Sequence, residues 1–280
     1  MTRTRPTRTR PTTPARPADP RGQRVTQARV IRSEWTKLRS VPSTAWSLLA
    51  AVALIVAVGA LYSLLRVTRP PSDPAAVASF DPTAVSLAGV QLAELAIGVL
   101  GVLVVAGEYA TGTIRASLAA VPRRLPVLWG KVVVVGLATL VLCLPASLAA
   151  FLVGQSILAG EQLDIALSAP GVARAVVGSA LYLSAIGLLG LGLGALLRST
   201  AGAVSGLFAI LFAPQLLSGL LPAAWSDRIY PYLPVPAGVA VTAVQPDPAA
   251  LAPWSGFALF CLYVAAVLGL AAWRLRRRDA

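Results

Sequence analysis

The sequence has no histidine, and among its 280 residues it has only two lysines and two cysteines. Because histidine is absent, imidazole acid–base chemistry and histidine metal ligation are both excluded. Cys143 and Cys261 lie inside apolar runs. Cysteines in such runs act as small core residues, so we expect them to form neither a disulfide nor a metal pair.

Charged residues are also scarce: they make up 12% of the chain, against 56% hydrophobic residues. Soluble domains carry about 25% charged residues. Half that fraction, together with long uncharged runs, indicates an integral membrane protein. The net charge of +13 could suggest nucleic-acid binding, but eleven of the 24 basic residues lie within 1–44 and most others border apolar runs. This distribution is typical of the cytoplasmic side of a membrane protein, so we expect no specific nucleic-acid partner.

The motifs of several enzyme classes are missing from the sequence. There is no G-x-x-x-x-G-K-[ST] phosphate loop, no C-x-x-C, no carboxylate dyad and no nucleophile–base pair. A membrane-embedded transport component needs none of these groups. We therefore expect a chain that is not an enzyme, with no catalytic residues and no metal or cofactor of its own.

Six apolar runs can each supply the roughly 20 residues that cross about 30 Å of hydrocarbon. They predict an all-α integral membrane protein with a six-span transmembrane domain over residues 45–280. Before it come a basic Thr/Arg/Pro tail over 1–24, which we expect to be disordered, and an amphipathic helix over 25–44. The predicted spans are about 45–65, 84–106, 129–153, 173–197, 200–221 and 255–274.

The predicted helix over 25–44 combines an apolar face with basic residues. Such a helix beside a span should lie in the membrane interface, with Trp35 at headgroup level. The alternative is a helix that packs on a cytoplasmic partner. The apolar face is Ala28, Ile31, Trp35 and Leu38, and the residues we single out are Glu34, Trp35, Lys37 and Arg39.

Loop charge predicts the orientation. With the N-terminus inside, 20 of the 24 basic residues fall on cytoplasmic segments, and six acids fall on outer loops. We therefore expect a multi-pass protein of the cell membrane with both termini in the cytoplasm. On this map the Arg198-Ser199-Thr200 turn is a tight cytoplasmic hairpin.

We single out three polar residues within the predicted spans. Gln91 and Glu94 share one face of the second span, and Gln215 follows Pro214 in the fifth. An ionisable group at membrane depth costs about 3 kcal/mol or more, so Glu94 should face a helix interface or a hydrated cavity. The residues therefore either line a translocation path or serve a structural role, and for Glu94 we favour the structural role.

The stretch between the second and third spans, residues 107–131, is polar and segmented. We expect Gly107 to close the second span and Thr111 or Thr113 to cap a short cytoplasmic helix, with Gly112 allowing the turn. That helix would end near Val121, before Pro122. The alternative is a plain membrane-surface loop.

The outer segment 222–253 contains seven prolines, which forbid one continuous helix. Part of it is apolar enough to re-enter the membrane, provided that protein covers its backbone groups. A plain extracellular loop is the alternative.

Three motifs resemble the permease subunits of type-2 ABC exporters, especially actinobacterial ones: EWTKLRS at 34–40, GEYATGTIRASL at 107–118 and PRRLPVLWGK at 122–131. The resemblance covers about residues 25–275. It implies that the interfacial helix and the loop after the second span contact a separate ATP-binding subunit, through a coupling helix in that loop. It also implies broken helices on the outer side between spans five and six. The ATPase-coupling residues it implies are Glu108, Tyr109, Gly112, Thr113, Arg115, Arg123 and Arg124.

The function that follows from the resemblance is ATP-driven export by alternating access. The permease would work as a homo- or heterodimer, with ATP and Mg²⁺ bound on the partner subunit. One alternative is a proton-coupled secondary transporter or a channel that uses Glu94, and another is a non-transporting scaffold. The sequence does not choose among the family's drug, lipid, polysaccharide, peptide and ion substrates.

Overall fold

We describe the fold from a computed structural model, which covers residues 26–69, 80–114, 125–220, 228–245 and 249–277. Over these residues the chain is helical and contains no strand. The predicted tail over 1–24 lies outside the described residues, as do residues 115–121 of the predicted coupling helix.

Nine α-helices follow one another along the described chain. Three short 3₁₀ turns, Ala159–Glu161, Tyr230–Tyr232 and Ala240–Thr242, complete the secondary structure there. The helices are α1 (Gln27–Ser40), α2 (Pro42–Thr68), α3 (Pro82–Ser86), α4 (Gly89–Thr111), α5 (Leu125–Leu158), α6 (Val172–Leu197), α7 (Thr200–Leu220), α8 (Pro234–Val239) and α9 (Pro253–Arg277).

Five helices are long and apolar enough to cross a membrane: α2, α4, α5, α6 and α9. The fifth predicted span corresponds to α7, whose apolar part within the described residues, Thr200–Ala213, is shorter than the other five helices. An all-helical membrane protein with several spans is therefore confirmed. The count of six spans stays a prediction.

Local signals in the sequence set several helix ends. The Asp81 side chain accepts hydrogen bonds from the backbone N–H groups of Thr83 (2.8 Å) and Ala84 (3.1 Å), which caps α3. Arg198 takes a left-handed backbone with φ of 56° between α6 and α7. Only two residues separate these helices, so the turn between them is tight as expected, and its cytoplasmic position stays a prediction.

Helix α4 corrects one expected boundary. Gly107 does not close the second span, because α4 continues for another turn to Thr111. The helix ends at Gly112, whose φ of 73° lies in the left-handed region that glycine enters without a Cβ penalty. The turn expected at Gly112 is therefore present, but Glu108 and Tyr109 lie on the last turn of α4 and not in a separate helix.

Helix α6 is the centre of the bundle. Its buried residues occur on all sides of the helix, and it packs against α4, α5, α7 and α9. A helix that is apolar all round is expected at such a position. By contrast, large apolar side chains on α2, α5 and α9 remain exposed, for example Trp46, Val141 and Leu262. These are the surfaces that a bilayer would cover.

The two cysteines lie in different surroundings. Cys143 on α5 is buried, whereas Cys261 on α9 is exposed, and both are free thiols. The expectation that both belong to the core is therefore wrong for Cys261. An apolar run predicts a spanning helix, but it does not tell which side of that helix faces the protein.

Candidate functional site

Four charged side chains form one cluster where α1 meets the ends of α4 and α5. The Lys131 ammonium lies 2.7 Å from Glu34 Oε2 and 2.9 Å from Glu108 Oε1. The Lys37 ammonium lies 2.6 Å from Glu34 Oε1 and 3.2 Å from Glu108 Oε1. Each lysine therefore bridges both carboxylates. We call these four residues the ionic cluster.

Most of the ionic cluster is shielded from solvent. The side chains of Lys131 and Glu34 are 3% and 5% exposed, and that of Glu108 is 16% exposed. Burying ions costs several kcal/mol each, and only close pairing offsets that cost. The cluster contains two positive and two negative groups, so it has no net charge to be solvated.

Lys37 is the most accessible member, at 40% exposure. Burial lowers the pKa of Lys37, but the hydrogen bond and charge of Glu34, followed by those of Glu108, outweigh burial and raise it. A raised lysine pKa means that the stabilisation is complete below the unfolded value of 10.5. This stabilisation is lost only as the pH rises through the pKa that Lys37 has in the folded protein. The ion pairs of Lys37 with Glu34 and Glu108 therefore persist at neutral pH.

The ionic cluster ties α1 to the helices that flank residues 112–124. Glu34 and Lys37 come from α1, Glu108 from the last turn of α4 and Lys131 from the second turn of α5. Val30 and Leu38, one turn to either side of Glu34, are buried as well. Because one face of α1 is held by both packing and charge, a force on α1 would be passed to both helix ends.

The predicted apolar face of α1 is only partly the face that the protein covers. Leu38 is buried as expected, but Trp35 is 44% exposed and Ala28 is exposed. The protein instead covers Val30 and Glu34. An exposed Trp35 is compatible with a position at the membrane interface, and that position stays a prediction.

The remaining predicted coupling residues lie around the same end of the bundle. The Tyr109 ring lies 5.3 Å from the Arg198 guanidinium carbon, which links α4 to the hairpin between α6 and α7. The Thr113 hydroxyl lies 2.9 Å from that of Thr111, beside the Gly112 turn. Arg115, Arg123 and Arg124 lie outside the described residues.

Sequence reasoning did not find the ionic cluster as a unit, and it did not select Lys131. The composition of the sequence did contain a signal for the ionic cluster. The chain has only two lysines, and on the predicted cytoplasmic side the only acids outside the two termini are Glu34 and Glu108. Both lysines and both acids meet in the structure.

Glu94 lies away from the ionic cluster, between α4 and α6. It is buried, and the Tyr182 hydroxyl donates a hydrogen bond of 2.5 Å to Glu94 Oε2. Gln91, one turn before it, is exposed, and the side chain of Gln215 lies outside what the structure describes. The structure therefore places Gln91 and Glu94 in different surroundings. The bond to Tyr182 supports the structural interpretation of Glu94, and its role in a path stays untested.

The sequence matches one known family model, described as "ABC-2 family transporter protein", over residues 30–214. The match covers about two thirds of the chain and includes all four members of the ionic cluster. The chain belongs to the ABC-2 transporter family. A search of curated proteins finds no match to it.

As an ABC-2 family member, the chain is a type-2 ABC transporter permease and a membrane transport component. Membership implies partnership with an ABC ATP-binding subunit and with the membrane. The resemblance carried by residues 34–40, 107–118 and 122–131 is thereby confirmed, because the match contains all three motifs.

A glycine-lined contact holds α4 and α6 of the permease together. A Cβ atom built at Gly101 would overlap the carbonyl oxygen of Gly187, and one built at Gly190 would overlap that of Gly98. Such close backbone approach is possible only where side chains are absent. Sequence reasoning missed this contact, although GVLG in the second span and GLLGLGLG in the fourth are its signature.

The glycine contact explains how the permease positions Glu94. Close approach of α4 and α6 brings the carboxyl group within reach of Tyr182 and keeps it away from lipid. Tyr182→Phe removes the donor and leaves a buried carboxyl group short of one partner. We expect a loss of about 1–3 kcal/mol, seen as a lower Tm in detergent.

Glu94→Gln is the matched control for that substitution. Its amide oxygen can still accept the hydrogen bond from Tyr182, so we expect a Tm near that of the wild type. A Tyr182→Phe protein as stable as the wild type would contradict a structural role for this bond.

The described part of the segment between α7 and α9, residues 228–245, contains the short helix α8 and two 3₁₀ turns. Ala237 and Val241 are buried, and α8 packs mainly against α9. The Tyr182 ring lies 5.6 Å from the Phe260 ring of α9, next to Gly238. Protein thus covers this part of residues 222–253, as a re-entrant position would require. Its depth in the bilayer stays a prediction.

Proposed function

We propose that this permease is the membrane subunit of an exporter that moves its substrate by alternating access, powered by a separate ATP-binding subunit. The observation that carries the proposal is the ionic cluster. It links α1, α4 and α5, which are the elements around the segment predicted to bind the ATPase. The family match and the missing phosphate loop support the same conclusion.

The proposed mechanism begins at the partner. ATP and Mg²⁺ bind on the ATPase subunits, whose closure displaces α1 and the segment after Gly112. The ionic cluster passes that displacement to the ends of α4 and α5, and α6 follows α4 because of the glycine contact. Two permease copies would thereby alternate between inward-open and outward-open states. ATP can drive this exchange only if the subunit contacts differ between the two states.

The proposal is tested at Gly112 by co-purification. We expect the tagged permease, purified from its native membrane, to retain a separate protein that carries a phosphate loop. Asn enters the left-handed region far more readily than other non-glycine residues, whereas β-branched Val does not. Gly112→Asn should therefore retain the partner. Gly112→Val, which carries a penalty of about 1–2 kcal/mol, should lose it about 5- to 30-fold.

The amount of each variant in the membrane is the control for this measurement, because insertion should be equal for all three proteins. Absence of any ATP-binding protein from the wild-type sample would overturn the proposal. Equal retention by Gly112→Val would show that the coupling contact lies elsewhere.

The proposed orientation places α1, the ionic cluster and both termini in the cytoplasm. A reporter inserted at Gly160, which follows α5, should be read outside the cell, and one inserted within 115–124 should be read inside. Charge asymmetry is the physical reason for this expectation. The reverse result would invert the topology and would place the ionic cluster out of reach of any ATPase.

Two other functions predict different results. A proton-coupled transporter would show proton-driven flux in liposomes without any ATPase, and Glu94→Gln would abolish that flux. A scaffold would retain partners but show no substrate movement. The hydrogen bond that Tyr182 donates to Glu94 supports neither of these functions over the exporter.

A further inference from the structure

Helix α1 presents two chemically different faces. The protein covers three side chains that are spaced by four residues: Val30, Glu34 and Leu38. Another face exposes three side chains that are spaced by three and four residues: Arg32, Trp35 and Arg39. A helix turns about 100° per residue, so the centres of the two faces lie about 130° apart around the axis of α1. We call Arg32, Trp35 and Arg39 the arginine–tryptophan face.

The buried face limits how α1 can contact a bilayer. An interfacial helix usually inserts an apolar face into the headgroup region. In α1, however, Val30 and Leu38 are only 4% and 9% exposed, because they pack on the bundle. The arginine–tryptophan face offers a bilayer one large apolar side chain, Trp35, between two guanidinium groups. Its contact with lipid must therefore depend on charge as well as on apolar burial.

No exposed acid opposes these arginines in the described part of this end of the bundle. The two acids there are Glu34 and Glu108, whose side chains are 5% and 16% exposed and both pair with lysines. The exposed charged residues there are all basic: Arg29, Arg32, Arg39, Arg276 and Arg277. The surface is therefore positive, and it attracts a negatively charged partner.

Exposed tryptophans mark the level at which α1 lies. Trp46 of α2 and Trp129 of α5 are 69% and 45% exposed. Trp46 lies in the second turn of α2, shortly after α1 ends. Trp129 is next to Gly130, where a built Cβ would lie 3.0 Å from Val30 Cγ1, so it borders α1 as well. Tryptophan is enriched where a bilayer meets water, and these residues together with Trp35 therefore place α1 beside the lipid headgroups.

We propose that the arginine–tryptophan face binds the anionic phospholipids of the bilayer surface. The guanidinium groups of Arg32 and Arg39 donate hydrogen bonds to lipid phosphates, whose oxygens match the planar guanidinium fork. Zwitterionic lipids carry the same phosphate, but their own cationic group cancels its charge, so lipids with a net negative charge are preferred. The buried face meanwhile holds α1 on α4 and α5 through the ionic cluster. Helix α1 is thereby clamped between lipid and protein.

The lipids beside α1 can be measured with a fluorophore on Ala28→Cys. Ala28 is exposed and precedes Arg32 by one turn on the same side of α1. The background variant is Cys261→Ala, because Cys261 is exposed whereas Cys143 is buried. The full-length permease is placed in two nanodisc samples, both with equal amounts of phosphatidylglycerol and phosphatidylcholine. Brominated acyl chains, which quench the fluorophore, are on the phosphatidylglycerol in one sample and on the phosphatidylcholine in the other.

The two samples have the same headgroups, so a difference in quenching reports which lipid lies beside α1. Each basic residue near an anionic surface contributes a factor of about five, so two arginines should enrich phosphatidylglycerol roughly five- to twentyfold over phosphatidylcholine. Brominated phosphatidylglycerol should therefore quench more strongly. Salt at about 1 M, where the Debye length is about 3 Å, should remove most of the difference.

Three double variants assign the enrichment to this face. Arg32→Gln combined with Arg39→Gln should bring the two lipids to equal quenching, and the Tm in detergent should stay unchanged because both side chains are exposed. Arg32→Lys combined with Arg39→Lys keeps the charge and should keep most of the enrichment. The matched control is Arg276→Gln combined with Arg277→Gln. It removes the same charge at the end of α9 and should leave quenching at Ala28→Cys unchanged.

Equal quenching by the two lipids in the wild type would overturn the proposal. An equal loss of enrichment in the α9 control would overturn it too, because total charge and not this face would then select the lipid. Absence of quenching by either lipid would show that the face points into water. If the glutamine variant of Arg32 and Arg39 then also lost a co-purified ATP-binding protein, the face would be a protein-binding surface instead. The nanodiscs contain no ATPase, so this result and the co-purification at Gly112 can fail independently.

Discussion

Replacing Lys131 with methionine should destabilise the permease by about 3–5 kcal/mol, because the buried Glu34 carboxylate then loses one of its two lysine partners. Glu34 would keep only Lys37, which is the more exposed lysine. In a chain of this size such a loss lowers the Tm by on the order of 10 °C. The measurement is thermal unfolding of the purified protein in detergent, followed by tryptophan fluorescence.

The double substitution Glu34→Leu with Lys131→Met should be more stable than Lys131→Met alone. It removes both fully buried charges and leaves Lys37 paired with Glu108, so the region stays neutral. Apolar replacements of buried ion pairs are often neutral or stabilising. If the double variant regains the Tm of the wild type, the loss in Lys131→Met comes from an unpaired buried charge. The ion pair itself would then add little to the stability.

Arg32→Gln is the matched control for these changes. Arg32 is also a charged residue of α1, but it is exposed. We expect its removal to change stability by less than about 0.5 kcal/mol, as for most surface positions. If Lys131→Met behaved like Arg32→Gln, the ionic cluster would contribute little to the attachment of α1.

The double variant also separates stability from coupling. If its stability recovers but the ATP-binding partner no longer responds to the permease, the charges themselves are needed for transmission. If both recover, the packing of Val30 and Leu38 is enough to hold α1 in place. The first result would support transmission through the ionic cluster. The second would contradict it, because the attachment of α1 would then rest on packing.

The sequence predicted the helical membrane fold because hydrophobic runs and loop charges are local properties. The limits of α2 and α6 lie within three residues of the predicted spans, and the hairpin at Arg198 is where it was expected. The end of the second span was missed because Gly107 was read as a helix end. The helix ends instead at Gly112, whose φ is positive.

The candidate site could be predicted only in part, because it depends on contacts between distant segments. Glu34 and Glu108 belong to the quoted motifs, but nothing local indicates that both contact Lys131, which lies 97 residues from Glu34. The α4–α6 contact was missed for a related reason. Glycines in an apolar run predict close packing only after the partner helix is known.

Gly101→Ala should destabilise the permease more than any other single methyl addition that we consider. The new Cβ would overlap the Gly187 carbonyl oxygen, which is backbone and cannot rotate away. Overpacking in a tight core usually costs about 1–3 kcal/mol, and a backbone clash belongs at or above the upper end of that range. Helices α4 and α6 would have to separate, and that would weaken the bond between Glu94 and Tyr182 as well. The readouts are Tm and the yield of monodisperse protein.

Gly269→Ala on α9 is the matched control, because a Cβ there meets no atom within 4 Å. Alanine is a better helix former than glycine by about 1 kcal/mol, so the control should be neutral or slightly stabilising. A lower Tm for Gly101→Ala together with an unchanged or higher Tm for Gly269→Ala would establish that the backbones of α4 and α6 are in contact. Since α4 carries Glu108, such a rigid pair would transmit any movement of the ionic cluster along the length of α6. Equal and small effects would show that the two helices are free to slide, and the proposed transmission would then need another route.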